Sequence, residues 1–290
     1  MRYMSAGQIV VGVDDSAGTE LALRWAADEA LARHVPVRLV TAFRYELTAG
    51  RLPTFVTVPA VDLLEPRQVA EQLLAKAVDS VTADGAEASA EAVDGDPIQV
   101  LVTESASASV LVLGSRQLNA FGSAVLGSVS SAVAARSNGP TVVVRGPAGR
   151  PEEGAGVVVG IDGTESSERL LGYAFEHASR HRVPLRAVLC WHPDLLALMS
   201  WRAEPPPPAR VDAWLAEALA GWQEKYPNVT VHPEVIREHP TAGLVLASAA
   251  QHLLVVGKHG RHARAMLGSV SQGVLHHATC PVAVMPTNGE

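Results

Sequence analysis

Short apolar runs rich in valine alternate along the chain with longer stretches in which apolar residues recur at helical spacing. In the first half the runs predict strands at about 8–14, 36–43, 86–93, 109–114 and 140–144. Runs this short that are apolar throughout are typical of strands buried on both faces of a parallel sheet. The pattern therefore predicts an open sheet covered by helices.

The helix signals lie between these runs. Ser16 and Thr19 are candidate N-caps ahead of a helical stretch over 21–33, and 67–83 carries a second apolar stripe. Asp96 followed by Pro97 predicts another helix start, because proline is favoured at the first helical position. Strands and helices that alternate in this way predict βαβ units with right-handed crossovers.

The second half of the chain repeats the first. Six segments recur in the same order: 9–14 with 157–162, 34–38 with 182–186, 96–97 with 239–240, 110–114 with 253–257, 126–130 with 267–271, and 139–144 with 280–284. A Gly-, Pro- and Glu-containing stretch separates the copies. We therefore predict two domains, 1–146 and 156–290, joined by a linker over 147–155.

Composition and charge narrow the classes of partner. The chain is 48% hydrophobic with only 4% aromatic residues, and its net charge is −7. Such a charge gives no bulk attraction to nucleic acid or to an anionic membrane. The N-terminus lacks the apolar core of a secretory signal, no apolar run could span a bilayer, and Cys190 and Cys280 have no CxxC spacing. We expect a soluble, cytoplasmic protein.

Three features recur at the ends of predicted strands and at the helix start that follows. They are Asp14, Gly114 and Gly127-Ser128 in the first copy, and Asp162, Gly257 and Gly268-Ser269 in the second. Ligands of doubly wound sheets bind beyond the carboxyl ends of the strands, where the strand order reverses. The N–H groups of a helix N-terminus attract phosphate there, and an acid nearby suits a ribose or an adenine edge.

The segment 114–128, with Val-Gly-Val-Asp14 upstream, resembles the universal stress protein family in its tandem, actinobacterial form. The resemblance covers nearly the whole chain in two copies. It implies an α/β fold of two tandem doubly wound domains, each a five-stranded parallel sheet in the order 3-2-1-4-5 with helices on both faces. It also implies that the last strands, Thr141–Val144 and Val282–Met285, pair between domains about a pseudo-two-fold axis; taken alone, they are predicted as sheet edges with alternating exposure.

ATP-binding members of that family carry the pattern Gly-x2-Gly-x9-Gly-[Ser/Thr], in which the glycines and the hydroxyl hold the phosphates. The resemblance therefore implies ATP as the ligand, with Mg²⁺ as a possible companion, and a role in sensing stress. The acid after strand one and the backbone after strand two hold the nucleoside. The residues implied to bind nucleotide are Asp14, Ala42, Gly114, Arg116, Gln117, Gly127, Ser128 and Val129 in the first copy, and Asp162, Gly257, Lys258, Gly260, Gly268, Ser269 and Val270 in the second.

Each copy departs from the family pattern differently. The first keeps the spacing but has Gln117 where the second glycine belongs. The second keeps its three glycines but has only seven residues between Gly260 and Gly268. A cationic cluster accompanies that shorter loop: Lys258, His259, Arg261, His262 and Arg264. Binding by both copies, by one or by neither remains open at this point.

Catalytic and metal motifs are absent from the sequence pattern. It contains no Gly-x4-Gly-Lys-[Ser/Thr] loop and no Gly-x-Ser-x-Gly elbow, so slow ATP hydrolysis is the most that we expect. His259 with His262, and His276 with His277, lack a carboxylate or cysteine to complete a metal site, and we predict none. The alternative function is a nucleotide-free scaffold that acts by homodimerisation and protein contacts.

Overall fold

The computed structural model describes residues 7–44, 65–115, 126–145, 154–164, 167–190, 208–258 and 267–286. The strands in these ranges are β1 (Ile9–Gly12), β2 (Val37–Phe43), β3 (Ala88–Asp94), β4 (Val110–Gly114), β5 (Thr141–Val144), β6 (Val157–Ile161), β7 (Leu185–Cys190), β8 (Val231–Ile236), β9 (Leu253–Gly257) and β10 (Val282–Met285). The helices are α1 (Ala17–Arg33), α2 (Pro66–Ala83), α3 (Pro97–Glu104), α4 (Ser128–Arg136), α5 (Ser167–His181), α6 (Pro208–Lys225), α7 (Pro240–Ala247) and α8 (Ser269–His277). None of these helices is both long and apolar enough to cross a membrane.

All ten described strands form one sheet in the order β3-β2-β1-β4-β5-β10-β9-β6-β7-β8. Each half is parallel and has the order 3-2-1-4-5, which confirms the predicted fold class. The halves meet where β5 pairs with β10 in antiparallel register, with Val143 opposite Val282. The pairing of the last strands between the two copies, which the family resemblance implied, is thus present in the structure.

The exposure expected of those last strands was wrong. Every residue of β5 and β10 is buried, with no alternation between the two faces. The reason is that β5 and β10 are central strands of the joined sheet, with helices over both faces, and not its edges. The real edges are β3 and β8. Every residue of β3 is exposed or half-buried, so the prediction of strands buried on both faces does not extend to it.

Local sequence explains most of the helix boundaries. Asp96 caps α3 as predicted, since its side chain accepts hydrogen bonds from the N–H groups of Ile98 and Gln99 and Pro97 is the first helical residue. Helix α1 begins at Ala17, four residues before the predicted 21–33, with Ser16 as its N-cap; Thr19 lies inside its first turn, so it is not the cap. The Ser16 side chain makes no cap hydrogen bond and instead contacts Asp14.

Candidate functional site

The candidate site lies where three parallel strands end at the same edge of the sheet. Gly12, at the end of β1, pairs with Val40 of β2 and with Leu113 of β4. The positions that follow in the three strands are therefore neighbours, and they include Asp14, Ala42 and Gly114. This is the point at which the strand order reverses, the usual location of a ligand crevice in such sheets.

The Asp14 side chain closes the loop between β1 and α1. Its Oδ1 accepts hydrogen bonds from Ser16 N at 3.1 Å, Ser16 Oγ at 2.5 Å and Thr19 Oγ1 at 2.6 Å. Because Thr19 lies in the first turn of α1, the carboxylate fixes the start of that helix. Asp14 is nonetheless exposed at the sheet edge.

Asp162 repeats this arrangement in the second half. Its Oδ1 accepts from Thr164 N at 3.1 Å, from Thr164 Oγ1 at 2.6 Å and from Ser167 Oγ at 3.3 Å. Ser167 is the first residue of α5, so this acid also ties the strand end to the helix start. The two halves therefore share the acid and the geometry that holds it.

Gly114 has a steric reason to be glycine. A Cβ built on it would lie 2.5 Å from the backbone carbon and oxygen of Gly18 in α1, closer than real Cβ contacts. A Cβ on Gly18 would in turn lie 2.2 Å from the carbonyl oxygen of Ser115. The two glycines let α1 approach the end of β4 directly, because backbone can pack against backbone only where both lack a side chain.

The helix N-termini of α4 and α8 lie next to these strand ends. Ser130 Oγ in α4 donates to the Gly114 carbonyl oxygen at 2.8 Å, and Ser271 Oγ in α8 donates to the Gly257 carbonyl oxygen. Gly127, the N-cap of α4, is extended (φ −64°, ψ 148°) and offers no side chain to cap the first-turn N–H groups. Since the first N–H groups of a helix have no partner within it, this end can accept an anion.

The second half has a similar helix start with one added cation. Gly268 is the N-cap of α8, and its N–H donates to the Lys258 carbonyl oxygen at 2.9 Å. The Lys258 ammonium donates to the carbonyl oxygen of Ser137, in the first half, at 3.0 Å. Partial burial lowers the pKa of Lys258. The lysine predicted to face phosphate thus contacts the other half of the molecule in this structure.

The structure brings together most of the residues predicted to bind nucleotide. Asp14, Ala42, Gly114, Gly127, Ser128 and Val129 share one sheet edge, and Asp162, Gly257, Lys258, Gly268, Ser269 and Val270 share the equivalent edge. Ser128 and Ser269 are exposed first residues of their helices. Arg116, Gln117 and Gly260 lie outside the described residues, as do His259, Arg261, His262 and Arg264.

Comparison with known proteins decides the family. The model of the universal stress protein family matches residues 6–145 and again residues 156–286. The chain belongs to the universal stress protein family. It is 36% identical over 282 residues to the universal stress protein Rv2005c of Mycobacterium tuberculosis, and the alignment covers 95% of this chain and 96% of that protein.

One solved structure of a universal stress protein shares the fold over both halves. A universal stress protein from Archaeoglobus fulgidus DSM 4304 superposes with a TM-score of 0.75 at 18% identity, covering 98% of this chain and all of that one. That likeness concerns the fold. A single-domain universal stress protein from Archaeoglobus fulgidus in complex with dAMP matches 48% of this chain at 26% identity, with a TM-score of 0.35.

A second polar cluster, which the sequence analysis missed, lies between the two halves. It joins Glu29 of α1 to His177 and His181 of α5 and to His252, which precedes β9. The side chains of Glu29 and His177 are each only 1% exposed. The sequence does show that His177 and His181 are one helical turn apart and so share a face of a helix. It does not show that Glu29 and His252 join them, because both are distant from α5 in sequence.

The ionisation of this cluster follows from burial and from the groups around Glu29. Burial would raise the pKa of the Glu29 carboxyl, but His177, His181 and Arg33 together lower that pKa well below its usual value. Burial lowers the pKa of His177 and lowers that of His252 to about 3. The cluster therefore combines a carboxylate whose ionised form is favoured with imidazoles whose protonated form is disfavoured by burial.

Proposed function

We propose that this universal stress protein binds an adenine nucleotide, ATP with Mg²⁺, at the carboxyl edge of each half-sheet and acts as a stress-response sensor. One observation carries the proposal. A continuous chain of contacts runs from Asp14 through Thr19 and Gly18 to Gly114 and on to Ser130 in the first turn of α4. An acid and an uncapped helix N-terminus are thereby held at fixed positions on one edge of the sheet.

The two ends of this edge suit different parts of a nucleotide. The first-turn N–H groups of α4, with the helix dipole behind them, favour the negatively charged phosphates. Asp14 can accept hydrogen bonds from ribose hydroxyls, with the backbone at Ala42 beside the base. ATP rather than another nucleotide is what membership of the family suggests, and its occupancy would change the exposed surface that a partner protein meets.

The two sites differ in a way that suggests unequal affinity. In the first half, Gln117 occupies a position where the phosphate-binding pattern of the family has a glycine. In the second half Lys258 is engaged with Ser137 at 3.0 Å, so a phosphate would have to draw the ammonium away from that carbonyl. We therefore propose that, in a Gln117→Gly variant, the first half binds nucleotide more tightly than the second half does.

The scaffold function is the second candidate, and the same contacts favour it. Asp14, Gly114 and Ser130 each have a structural role that needs no ligand, in closing a loop, in admitting α1 and in anchoring α4. Such a protein would act through a homodimer and through protein contacts. We propose the cytoplasm as its compartment, where Cys190 and Cys280 remain the thiols seen in the structure.

Calorimetric titration with ATP and Mg²⁺ tests the nucleotide proposal. Gly127→Asp and Gly268→Asp place a carboxylate at the N-caps of α4 and α8. Aspartate is a favourable N-cap residue, so folding should be retained while the added charge repels phosphate. Gly221→Asp, on the exposed face of α6, is the control with the same charge change. We expect each N-cap variant to lose one site and the control to lose none.

Two further measurements separate the candidates. At about 100 times its Kd, ATP should stabilise the fold by about 2.7 kcal/mol in thermal unfolding. Mass spectrometry of the supernatant after denaturing the purified protein should find adenine nucleotide. An unshifted melting curve with no extracted nucleotide would favour the scaffold. Gln117→Gly should tighten binding; equal affinity would show that the glutamine is neutral.

A further inference from the structure

We propose that His177, His181 and His252 form a zinc site at the contact between the two halves, with Glu29 as the carboxylate that orients it. The three imidazoles each offer one nitrogen, and these nitrogens lie within 4.8 Å of one another. His177 and His181 are one turn apart on α5 and so share a face of the helix. His252 reaches the same point from the residue before β9.

Burial gives an independent reason to expect a ligand. His177 is buried; its Nδ1 lies 3.4 Å from Glu29 Oε2, at the long end for a hydrogen bond, and its Nε2 has no hydrogen-bond partner among the described residues. A buried polar group without a hydrogen bond is costly, and native proteins rarely leave one. A metal ion bound to this ring would remove that cost.

The donor set selects the class of metal. Neutral imidazole nitrogens suit zinc and similar first-row ions, whereas magnesium and calcium prefer oxygen ligands.

The geometry needs only a modest contraction. Zinc bound to nitrogen at about 2.0–2.1 Å in a tetrahedral site brings its ligands to roughly 3.4 Å from each other. The ligand nitrogens now lie within 4.8 Å of one another, so the rings must bring them closer by at most about 1.4 Å. His181 and His252 are only partly buried, so they can move toward His177 and can admit the ion from solvent.

Glu29 supplies the outer partner that metal-bound histidines usually have. Its Oε2 lies 2.6 Å from His181 Nε2, where the carboxylate can accept that N–H and leave Nδ1 of the ring for the metal. Arg33 pairs with the other oxygen of Glu29, and Arg180 pairs with Glu176 at 2.6 Å. Because each of these guanidinium groups is paired with a carboxylate, its positive charge is balanced near the proposed metal ion.

A zinc ion here would link the halves. The three imidazoles belong to the second half, and the carboxylate that orients His181 belongs to α1 of the first. Zinc would thus stiffen the contact of α1 with α5, and both of these helices begin at the acids of the two nucleotide edges. The proposed zinc site does not depend on nucleotide binding, so each of the two proposals can fail without the other.

Titration of the full chain with Zn²⁺ alone, after dialysis against EDTA, tests the proposal. We expect one ion per chain, and loss of one ligand in His252→Ala should weaken binding by at least about 100-fold, beyond the 10–100-fold typical of an outer partner. His276→Ala combined with His277→Ala, which removes an exposed pair on α8, should leave the affinity unchanged. Binding that is absent, or equally tight in His252→Ala, would overturn the proposal.

Cobalt gives a second readout that does not depend on any variant. Co²⁺ in a tetrahedral site absorbs visible light strongly, while six-coordinate Co²⁺ absorbs weakly. A strong band in the wild type that Zn²⁺ removes is the expected result, and a weak octahedral spectrum would contradict it. Melting curves in EDTA establish that His252→Ala is folded, and His181→Ala serves as an independent second variant.

Discussion

The Glu29 carboxylate in α1 lies 2.6 Å from Nε2 of His181 in α5, 152 positions further along the chain. The same carboxylate pairs with Arg33 of its own helix and lies 3.4 Å from Arg180 of α5. It is 1% exposed. With His177 Nδ1 also 3.4 Å away, a single buried acid of the first half thus meets four basic side chains, three of which belong to the second half.

Replacing Glu29 by alanine should destabilise the protein strongly. The change leaves the Arg33 guanidinium, which is 3% exposed, without its buried carboxylate. Breaking a buried ion pair on one side costs about 3–5 kcal/mol. Urea unfolding at neutral pH measures the loss.

Glu71→Ala is the matched control for Glu29→Ala. Glu71 also pairs with an arginine four positions away, Arg67, but both side chains are more than half exposed. Exposed pairs of this kind contribute about 0.3–0.5 kcal/mol. Equal losses in the two variants would mean that burial does not set the strength of the Glu29 pair.

Gly114→Ala should displace α1 from the end of β4. The new Cβ would meet the backbone of Gly18 at 2.5 Å, and backbone cannot move away as a flexible side chain could. Overpacking of this kind costs about 1–3 kcal/mol. The proposed nucleotide site of the first half should be distorted as well, so the proposed binding of ATP there should weaken together with the stability.

Gly221→Ala provides the comparison for that glycine. A Cβ at Gly221 meets nothing within 4 Å, and the residue lies inside α6. Alanine in an exposed helix interior is better than glycine by about 0.8–1.0 kcal/mol, so this variant should be more stable than the wild type. Chemical unfolding should show that Gly114→Ala lowers the free energy of unfolding and that Gly221→Ala raises it. A Gly114→Ala variant more stable than the wild type would contradict the close approach of α1 to the end of β4.

Lys258→Met should weaken the contact between the halves. The variant removes the hydrogen bond from Nζ to the Ser137 carbonyl oxygen at 3.0 Å and keeps most of the apolar stem. We expect a loss of about 0.5–1.5 kcal/mol in unfolding free energy. If ATP affinity at the second site falls as well, Lys258 leaves Ser137 for the phosphates; an unchanged affinity would assign the lysine to the interface alone.

Both cysteines should resist alkylation in the folded protein. Burial raises the pKa of Cys280 to about 11 and likewise raises that of Cys190 to about 11. The reactive thiolate is therefore scarce at pH 8 in the native state and abundant once the chain unfolds. Iodoacetamide labelling followed by mass spectrometry should find two slow sites without denaturant and two fast ones with it.

The same two pKa shifts fix the sign of a stability change with pH. A folded-state pKa above the unfolded value of 9.0 means that the unfolded chain loses its thiol protons first. The contribution of the two thiols to the free energy of unfolding is therefore complete below pH 9 and is lost as the pH rises from 9 toward 11. Rapid labelling of native Cys280 at pH 8 would show that its thiol is not enclosed.

The sequence pattern by itself determined the repeat and the positions of most strands, while the strand order within each half followed from the resemblance to the universal stress protein family. Short apolar runs predict the inner strands, because a strand buried on both faces carries apolar residues on both; the outer strand β3 lacks that burial. Local chemistry also fixed the Asp96 cap and placed Asp14, Gly114 and Gly127 at one edge, since parallel strands end at the same side of the sheet. These are short-range properties that a linear pattern can record.

Only the tertiary structure decided what happens where the halves meet. The pairing of β5 with β10 turned two expected sheet edges into buried central strands. The meeting of α1 with α5 brought Glu29 to His177 and His181, and the loop before β9 added His252. The Lys258 ammonium likewise donates a hydrogen bond to the Ser137 carbonyl oxygen of the first half. Contacts between residues more than a hundred positions apart depend on how two surfaces fit, and no local period in the chain encodes that fit.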